Sequence, residues 1–407
     1  MRKPILPGLL IHLLLCFSSQ FVRGQNVAEP FNFQSGDRVV FLGNSLFEND
    51  MQFGYLELAL TTRWPDRDVT YRNLGWSGDD VFGDGRSDIT TPPTPYEALI
   101  NEIAKAKPTV VFIAYGGIEA QEGESGLPRF QQGLNQLINK IDSLGAKTIL
   151  LSPIPILSGQ SADKLTQRNA ELEQYASAIS KLASDRKKRY IDLFKPVQEV
   201  SKKAMITDNG IHLNETGYYY LATILEKGLG LNSRFGEINI DVTKSADAIA
   251  PAKMINFDKS TGNLSFKVDD TYLPLVAPQQ DGKIIDVNNG RLIKISGLKK
   301  GFYTLTIDND DVKTASAKEW ADGVVIRQGP AFTQSAELRQ MILKKNEQFF
   351  FQYRPLNRTY IIGFRSYEQG RHKKGLEEQS LIIKWLEGQI AVSRQPKSAT
   401  YQLTQLK

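Results

Sequence analysis

The sequence predicts an α/β protein whose first half is a three-layer α/β/α domain built on a parallel sheet. Up to about residue 230, short runs of β-branched residues alternate with longer segments that carry apolar residues at helical spacing. This alternation places the strands side by side in parallel, with helices on both faces of the sheet. Beyond residue 230, short segments alternate apolar and polar residues, a pattern that is typical of antiparallel strands.

Five strands are predicted in this first domain, and two of them are apolar along almost their whole length. The strands span residues 39–42, 69–74, 109–114, 148–152 and 189–192, and the helices between them span residues 96–107, 127–144 and 165–184. Continuously apolar strands indicate a sheet that is covered on both faces. Ligands bind such sheets beyond the carboxyl ends of the strands. Ser45, Gly75 and Gly116 each follow a predicted strand, so we expect them to lie at that edge.

After an N-terminal leader, the chain divides into three predicted parts. Residues 25–232 form the α/β domain, residues 233–330 a β-rich domain of the sandwich type, and residues 331–407 a helical C-terminal extension. The extension holds predicted helices over residues 335–353 and 376–392 and an extended run over residues 359–365, and the helical pair can pack back on the first domain. Residues 353–355 and 364–370 are polar and rich in aromatic side chains. They form either a substrate-binding rim or an Arg–Glu network that joins two layers.

The N-terminal 24 residues have the three regions of a secretory signal peptide. Arg2 and Lys3 come first, an apolar run over residues 5–17 follows, and small and polar residues lead to Gly24. This run is short for a membrane span. We therefore expect cleavage after Gly24, a secreted or periplasmic protein and no membrane span in the mature chain; a retained anchor is the alternative. Cleavage also removes Cys16, the single cysteine of the chain, and with it any thiol chemistry.

The charge pattern excludes one class of partner. The formal net charge is +5 over 407 residues, and the charges are scattered, so we expect no nucleic-acid partner. We expect no cofactor. We also expect no metal site, because the spacing of Asp79, Asp80, Asp84 and Asp88 is not that of a calcium-binding loop. These aspartates are predicted to lie in a solvated loop at the rim of the active site. Trp76, just before them, either stacks on a sugar ring or packs against a turn.

The scarcity of histidine makes one catalytic pair stand out. The chain has three histidines. His12 lies in the leader and His372 in a basic stretch, which leaves His212 as the candidate general base, since imidazole titrates near neutral pH. Ser45 ends the first predicted strand and can serve as the nucleophile. The structural alternative for Ser45 is the N-cap of a helix that starts near Leu46.

Four short blocks of the sequence resemble those of one family. They are Gly43-Asn44-Ser45, Asn73-Leu74-Gly75, Tyr115-Gly116-Gly117 and Asn209-Gly210-Ile211-His212. Their order and spacing are similar to those of the SGNH, or GDSL-type, hydrolases over residues 36–230, and the fuller motifs resemble a bacterial secreted branch with an extra C-terminal region. The resemblance implies a flavodoxin-like three-layer fold and an esterase. It also implies that Ser45 is the nucleophile and His212 the base, and that Gly75, Gly116 and Asn209 lie at oxyanion or substrate positions.

Three positions depart from the pattern of that family. The first block has Asn44 where the family has aspartate. The third has Ile118 where the family has an asparagine that donates to the oxyanion; a match shifted by one residue puts Glu119 there, whose carboxylate would repel an oxyanion. The last block has Asn209 where an aspartate of the family orients the histidine, with Asp208 one step earlier. Asp208 is therefore either the third member of a catalytic triad or a turn residue.

Two functional hypotheses follow from these observations. The first is a secreted esterase of the SGNH type that uses Ser45 and His212 to remove O-acyl groups from a small ester or an acylated carbohydrate. The second is a catalytically impaired protein of the same fold that binds a carbohydrate or a protein partner in the same cleft. Ile118 and Asn209 are the residues that favour the second hypothesis.

Overall fold

The computed structural model describes residues 29–86, 93–244, 248–280, 283–284, 290–354 and 373–406. Several predictions fall elsewhere. The signal peptide over residues 1–24, the extended run over residues 359–365 and the segment over residues 364–370 lie outside the described residues, as do His12, Cys16, Asp88 and His372.

A five-stranded parallel sheet forms the centre of the first domain, as predicted. Its strands are β1 (Arg38–Gly43), β2 (Thr70–Asn73), β3 (Val110–Ala114), β4 (Lys147–Leu151) and β5 (Arg189–Ile191). They follow the order β2-β1-β3-β4-β5, and every neighbouring pair is parallel. The order changes direction between β1 and β3. A crevice therefore opens at the carboxyl ends of these two strands, where ligands bind in sheets of this kind.

Helices cover both faces of this sheet and complete the predicted three layers. The helices are α1 (Ser45–Asp50), α2 (Tyr55–Arg63), α3 (Pro95–Ala106), α4 (Leu127–Ser143), α5 (Ala162–Asp185), α6 (Phe194–Ser201) and α7 (Glu215–Gly228), with short 3-10 helices over Asp84–Arg86 and Glu119–Gly126. Alternate residues of β1 enter two separate cores because side chains alternate along a strand. Val39 and Phe41 pack with α2 and α7, whereas Val40 and Leu42 pack with α3, α4 and α5.

The second part of the chain is built from two β-sheets around one core. Its strands are β6 (Ile238–Asp241), β7 (Ala248–Ile249), β8 (Ala252–Asp258), β9 (Asn263–Val268), β10 (Gln279–Gln280), β11 (Lys283–Ile284), β12 (Arg291–Ser296), β13 (Phe302–Ile307), β14 (Asp310–Ser316), β15 (Val324–Ile326) and β16 (Ala399–Gln405), and α8 (Ala317–Asp322) joins β14 to β15. One sheet has the order β15-β12-β6 and the other β14-β13-β16-β9-β8-β7, while β10 and β11 pair separately. Phe266, Ile293 and Trp320 lie in the shared core. The smaller sheet is mixed, since β6 pairs in parallel with β12, and not purely antiparallel as the pattern predicted.

Strand β16 lies inside the segment that the sequence assigned to a helical extension. It pairs with both β13 and β9 in the middle of the larger sheet. Tyr401 and Leu403 are buried in the β-domain core, and their neighbours alternate with them in exposure. Among the described residues of the extension, the last helix ends at Ser393, and β16 returns to the β-rich part.

The two C-terminal helices pack against the α/β domain. They are α9 (Pro330–Tyr353) and α10 (Lys373–Ser393). Along α9, Leu338 and Ile342 join one core of the sheet domain, and Phe349 and Tyr353 join the other. The helix therefore crosses the β2 edge of the sheet and covers it. None of the helices that the structure describes is both long enough and apolar enough to span a membrane.

Candidate active site

Ser45 lies at the start of α1, immediately after β1. The N-cap of α1 is Asn44, whose Oδ1 atom accepts a hydrogen bond of 3.2 Å from the Leu46 amide. The alternative in which Ser45 itself caps the helix is therefore wrong: Asn44 caps it. The ends of β1 and β3 approach each other closely here, because a Cβ atom at Gly43 would lie 2.5 Å from the carbonyl oxygen of Ala114. Ser45 is half-buried and directly follows the carboxyl end of β1.

His212 lies in a tight loop just before α7. A β-bridge between Thr207 and Leu213 closes this loop. Gly210 adopts a φ of +79°, and a Cβ atom there would lie 2.4 Å from the carbonyl oxygen of Ser158, so this turn requires glycine. The exposed ring of His212 projects from the loop into the same cavity that Ser45 lines.

Asn209, and not Asp208, meets the imidazole ring. The Nδ2 atom of Asn209 lies 3.3 Å from Nδ1 of His212, and its Oδ1 atom accepts hydrogen bonds from the amides of Ile211 and His212 at 2.9 and 2.8 Å. The exposed Asp208 instead accepts a hydrogen bond of 2.9 Å from the side chain of Asn214. Asn214 in turn caps α7. Of the two roles predicted for Asp208, the described contacts therefore favour the turn residue.

The amides of Gly75 and Gly116 are both occupied by internal hydrogen bonds. The Gly75 N–H donates to Oδ1 of Asn73 at 2.8 Å, and a Cβ atom at Gly75 would lie 2.3 Å from the Glu48 amide nitrogen. The Gly116 N–H donates to Oε2 of Glu119 at 2.8 Å. Both glycines shape the turns beside Ser45, but neither amide is directed to an oxyanion in this arrangement.

The position of Glu119 decides between the two matches of the third block. Its buried carboxylate accepts hydrogen bonds from the amides of Gly116 and of Val81, the latter at 3.1 Å, and burial raises its pKa to about 7. Ile118 lines the cavity instead. The side chain that faces the candidate active site from this block is therefore apolar and cannot donate a hydrogen bond.

One cavity of about 1030 Å³ brings the candidate catalytic pair together. Ser45, His212 and Ile118 line it, with Asn44 and Gly117 beside them. The far wall is the first half of α5, which contributes polar side chains that the sequence reasoning missed: Lys164, Gln167, Arg168 and Glu171. Their spacing of three and four residues places them on one helical face, and this polar stripe was the signal available in the sequence.

A second cavity, of about 440 Å³, adjoins the first at Asn49, which lines both. One wall is α1 and the residues after it, and the other is the C-terminal helix α9. Its lining is mixed, with amide, charged, apolar and aromatic side chains: Glu48, Asn49, Met51, Gln52, Gln340, Leu343, Lys344, Glu347 and Phe350. We call this second cavity the α9 groove. The C-terminal region thus extends the surface beside Ser45.

Two arginines contact the ring of Trp76, for which stacking on a sugar is one of the two predicted roles. The guanidinium carbon of Arg354 lies 3.8 Å from the centroid of the Trp76 ring, and that of Arg86 lies 5.2 Å from it. Arg354 also forms an ion pair of 2.9 Å with Glu48. Arg354, from the predicted polar segment, therefore joins two layers through an Arg–Glu pair, and Trp76 packs within that network; Pro355 lies outside the described residues.

The predicted solvated aspartate loop is wrong for its first two members. Asp79 is fully buried, pairs with Arg86 at 2.8 Å and accepts a hydrogen bond of 2.7 Å from the Tyr115 hydroxyl. Asp80 is buried and accepts hydrogen bonds from the amides of Phe82 and Asp84. These carboxylates organise the loop from within. In the parts of the chain that the structure describes, no three or more histidine, cysteine or carboxylate side chains are grouped as metal ligands would be.

Comparisons with known proteins agree with this architecture. The family model of the GDSL-like lipases and acylhydrolases matches residues 41–220. No curated protein matches the sequence. Among solved structures, a gut microbial diltiazem-metabolizing enzyme is similar with a TM-score of 0.68 at 16% identity, over 92% of this chain and 99% of that one. That likeness shows that the fold is shared beyond the family match.

Two further structures resemble about half of the chain. An acetylxylan esterase from Geobacillus stearothermophilus is 18% identical, with a TM-score of 0.41, over 50% of this chain and 98% of that one. An α/β hydrolase from the metagenome of Lake Arreo, Spain, is 19% identical, with a TM-score of 0.40, over 49% of this chain and 99% of that one.

Proposed function

We propose that this chain removes O-acyl groups with Ser45 as nucleophile and His212 as base, because residues 41–220 match the family model of the GDSL-like lipases and acylhydrolases. The observation that carries the proposal is the single cavity that Ser45 and His212 both line, at the point where the strand order changes direction. A hydroxyl and an imidazole on one cavity are the pair that acyl transfer requires.

In the proposed reaction, the Ser45 Oγ atom forms a bond to the ester carbonyl carbon while its proton passes to Nε2 of His212. The carbonyl π electrons move onto the oxygen. As the tetrahedral intermediate collapses, the bond to the alcohol breaks and His212 gives its proton to the departing oxygen. Water then attacks the acyl-serine by the same two steps and releases the carboxylic acid, which regenerates Ser45.

We propose an acylated carbohydrate as the substrate class. The polar face of α5 and the mixed lining of the α9 groove support this choice, because a sugar presents many hydroxyl groups and a few apolar faces. In this arrangement the acyl group lies beside Ser45 and Ile118. The sugar extends past Asn49 into the α9 groove.

The experiment that tests this function compares acetate release from acetylated xylo-oligosaccharide by the mature protein and by its Ser45→Ala and His212→Ala variants. We expect release by the wild type and a loss of at least about 10³-fold in each variant. Thermal unfolding of all three proteins verifies that the substitutions leave the fold intact. Release that persists in Ser45→Ala would overturn the assignment of the nucleophile.

A second candidate function is carbohydrate binding without turnover. One observation favours it: the group opposite Nδ1 of His212 is the amide of Asn209, where an efficient triad has a carboxylate. Calorimetric titration of the wild type with acetylated xylo-oligosaccharide separates the two functions. If the protein binds the oligosaccharide and no acetate is released in the same sample, the result supports carbohydrate binding without turnover against ester hydrolysis.

We also propose that the protein acts outside the cytoplasm after removal of residues 1–24. The charged, apolar and polar regions of that segment support export. N-terminal sequencing of the protein recovered from the periplasm or the medium tests this. A chain that begins at Gln25 is the expected result, and a chain found only in the cytoplasm with Met1 retained would contradict export.

A further inference from the structure

The candidate oxyanion site lacks the donor that the third block supplies in the family. Ile118 occupies that place on the cavity wall. The amides of Gly75 and Gly116 are bound to Asn73 and Glu119. A tetrahedral intermediate on Ser45 nevertheless carries a negative oxygen, which needs a hydrogen-bond donor nearby.

Asn44 provides a side-chain amide next to the nucleophile. It is buried, with 8% of its surface exposed, and it lines the same cavity as Ser45 and Ile118. Its Oδ1 atom accepts the hydrogen bond from the Leu46 amide at 3.2 Å, so the identities of the oxygen and nitrogen atoms of this amide follow from the cap itself. The Nδ2 atom is therefore on the side away from the helix.

The neighbours of Nδ2 indicate where it points. A Cβ atom built on Gly117 would lie 3.6 Å from Nδ2 of Asn44, and Gly117 is a lining residue of the cavity. Among the described residues, none accepts a hydrogen bond from this nitrogen. The amide thus lies between the nucleophile and the turn that follows β3, with its N–H groups at the cavity wall.

We propose that Asn44 is a catalytic residue whose Nδ2–H group donates a hydrogen bond to the oxyanion formed on Ser45, in place of the donor lost at Ile118. This inference rests on the proposed ester hydrolysis. Two of the three departures from the family pattern then belong together: an asparagine is gained in the first block and lost in the third, and the amide moves from one wall of the cavity to the other.

The substitution Asn44→Asp separates donation from helix capping. Aspartate and asparagine are equally good N-caps, so the start of α1 is retained. The amide donor is removed, and the variant carries the aspartate that the family has in its first block. Removal of one such donor lowers the rate by about 10²- to 10³-fold, and we expect a loss of at least this size in kcat for acetate ester hydrolysis, with KM changed much less.

A second substitution in the same protein tests the exchange directly. Ile118→Asn places an amide where the family has one. We therefore expect the kcat of the double variant Asn44→Asp/Ile118→Asn to be at least about tenfold higher than that of Asn44→Asp alone. Ile118→Val in the Asn44→Asp background is the matched control, and it should recover none. A merely structural role for Asn44 would not be rescued by a new amide on a different loop.

The outcomes distinguish this inference from the proposed function. A wild-type protein without Ser45-dependent hydrolysis overturns both. An active wild type whose Asn44→Asp variant keeps full kcat overturns the role of Asn44 alone, as does a double variant that recovers no more activity than the valine control.

Discussion

The Nδ2 atom of Asn209 lies 3.3 Å from the Nδ1 atom of His212. Two backbone amides, those of Ile211 and His212, fix Oδ1 of Asn209 on the opposite side, so the group that faces the ring is an NH₂ donor. A donor opposite Nδ1 favours the tautomer with its proton on Nε2. A general base needs the lone pair on Nε2. This relationship therefore limits how readily His212 can take the Ser45 proton.

Asn209→Asp should raise the rate. Aspartate can keep the two backbone hydrogen bonds on one oxygen and accept Nδ1–H with the other, which leaves the Nε2 lone pair for Ser45. Because the reverse change in a serine hydrolase lowers kcat by about 10⁴-fold, we expect an increase in kcat of at least about tenfold, measured with p-nitrophenyl acetate.

Asp208→Asn is the matched control for that substitution. Asp208 bonds to Asn214 and not to the ring, so we expect kcat within about twofold of the wild type. A large loss in this variant, with no gain from Asn209→Asp, would return Asp208 to the triad.

Lys344→Ala and Glu347→Ala test whether the α9 groove holds the sugar. Both side chains are exposed and line the groove. We expect each substitution to raise KM for an acetylated oligosaccharide about three- to tenfold, since a charged hydrogen bond contributes about 1 kcal/mol or more, and to leave kcat/KM for p-nitrophenyl acetate unchanged. Lys202→Ala, at the C-cap of α6 and outside both cavities, is the control. Equal effects on kcat/KM for the oligosaccharide and for p-nitrophenyl acetate would show that the α9 groove does not bind the sugar.

Lys345→Ala should destabilise the protein strongly. Nζ of Lys345 on α9 lies 2.7 Å from the Glu57 carboxylate on α2, and both side chains are almost completely buried. Burial raises the pKa of Glu57 and lowers that of Lys345, as desolvation of charge requires. Loss of one partner leaves a buried charge, so we expect the free energy of unfolding to fall by about 3–5 kcal/mol in urea titrations.

The neighbouring side chain of Lys344 is exposed. Lys344→Ala should therefore change the free energy of unfolding by less than about 0.5 kcal/mol. Replacing the pair with apolar residues, Glu57→Leu/Lys345→Met, should be nearly neutral. A single variant Lys345→Ala as stable as the wild type would show that α9 is not anchored through this pair.

Asp50→Asn should make stability less sensitive to pH. Burial raises the pKa of Asp50 from 3.8 to about 7. Between pH 3.8 and 7 the folded protein retains a proton on Asp50 that the unfolded chain releases. The contribution of Asp50 to the free energy of unfolding is therefore complete below pH 3.8 and is lost as the pH rises toward 7. Asparagine does not titrate, and its Oδ1 can accept the same hydrogen bonds from the Tyr55 and Leu56 amides.

The difference in unfolding free energy, variant minus wild type, should therefore rise with pH from 4 to 7, by up to about 1.4 kcal/mol per pH unit. Urea titrations at several pH values measure it. A difference that is constant over this range would mean that Asp50 is ionised in the folded protein throughout.

The first domain was predictable because its strands and helices follow local patterns. Strand β3 is apolar and buried throughout, and β4 is buried from Thr148 to Leu151. The order of the blocks along the sequence predicted which strand ends meet. Strand β16 was missed because it follows two helices in sequence, and its partners β9 and β13 are more than 90 residues away along the chain. The only sign of this long-range pairing in the sequence is a short alternation of apolar and polar residues around Tyr401 and Leu403.

Within the site, the sequence indicated the right residues but not their hydrogen bonds. Ser45 and His212 were found from chemistry and position, and the structure brings both to one cavity. That Asn44 caps α1, and that Asn209 turns its NH₂ toward the ring, depends on the conformations of two turns. Burial of Asp79 depends on Arg86 and Tyr115 closing around it, which no spacing rule expresses.

In the proposed mechanism, Ser45 is a nucleophile that His212 activates. Mass spectrometry of the mature protein after incubation with an organophosphonate ester, which captures activated serine as a stable adduct, tests it most directly. We expect a single adduct, on the peptide that contains Ser45, absent from Ser45→Ala and strongly reduced in His212→Ala. An unmodified wild-type protein, or an adduct that persists in Ser45→Ala, would contradict it.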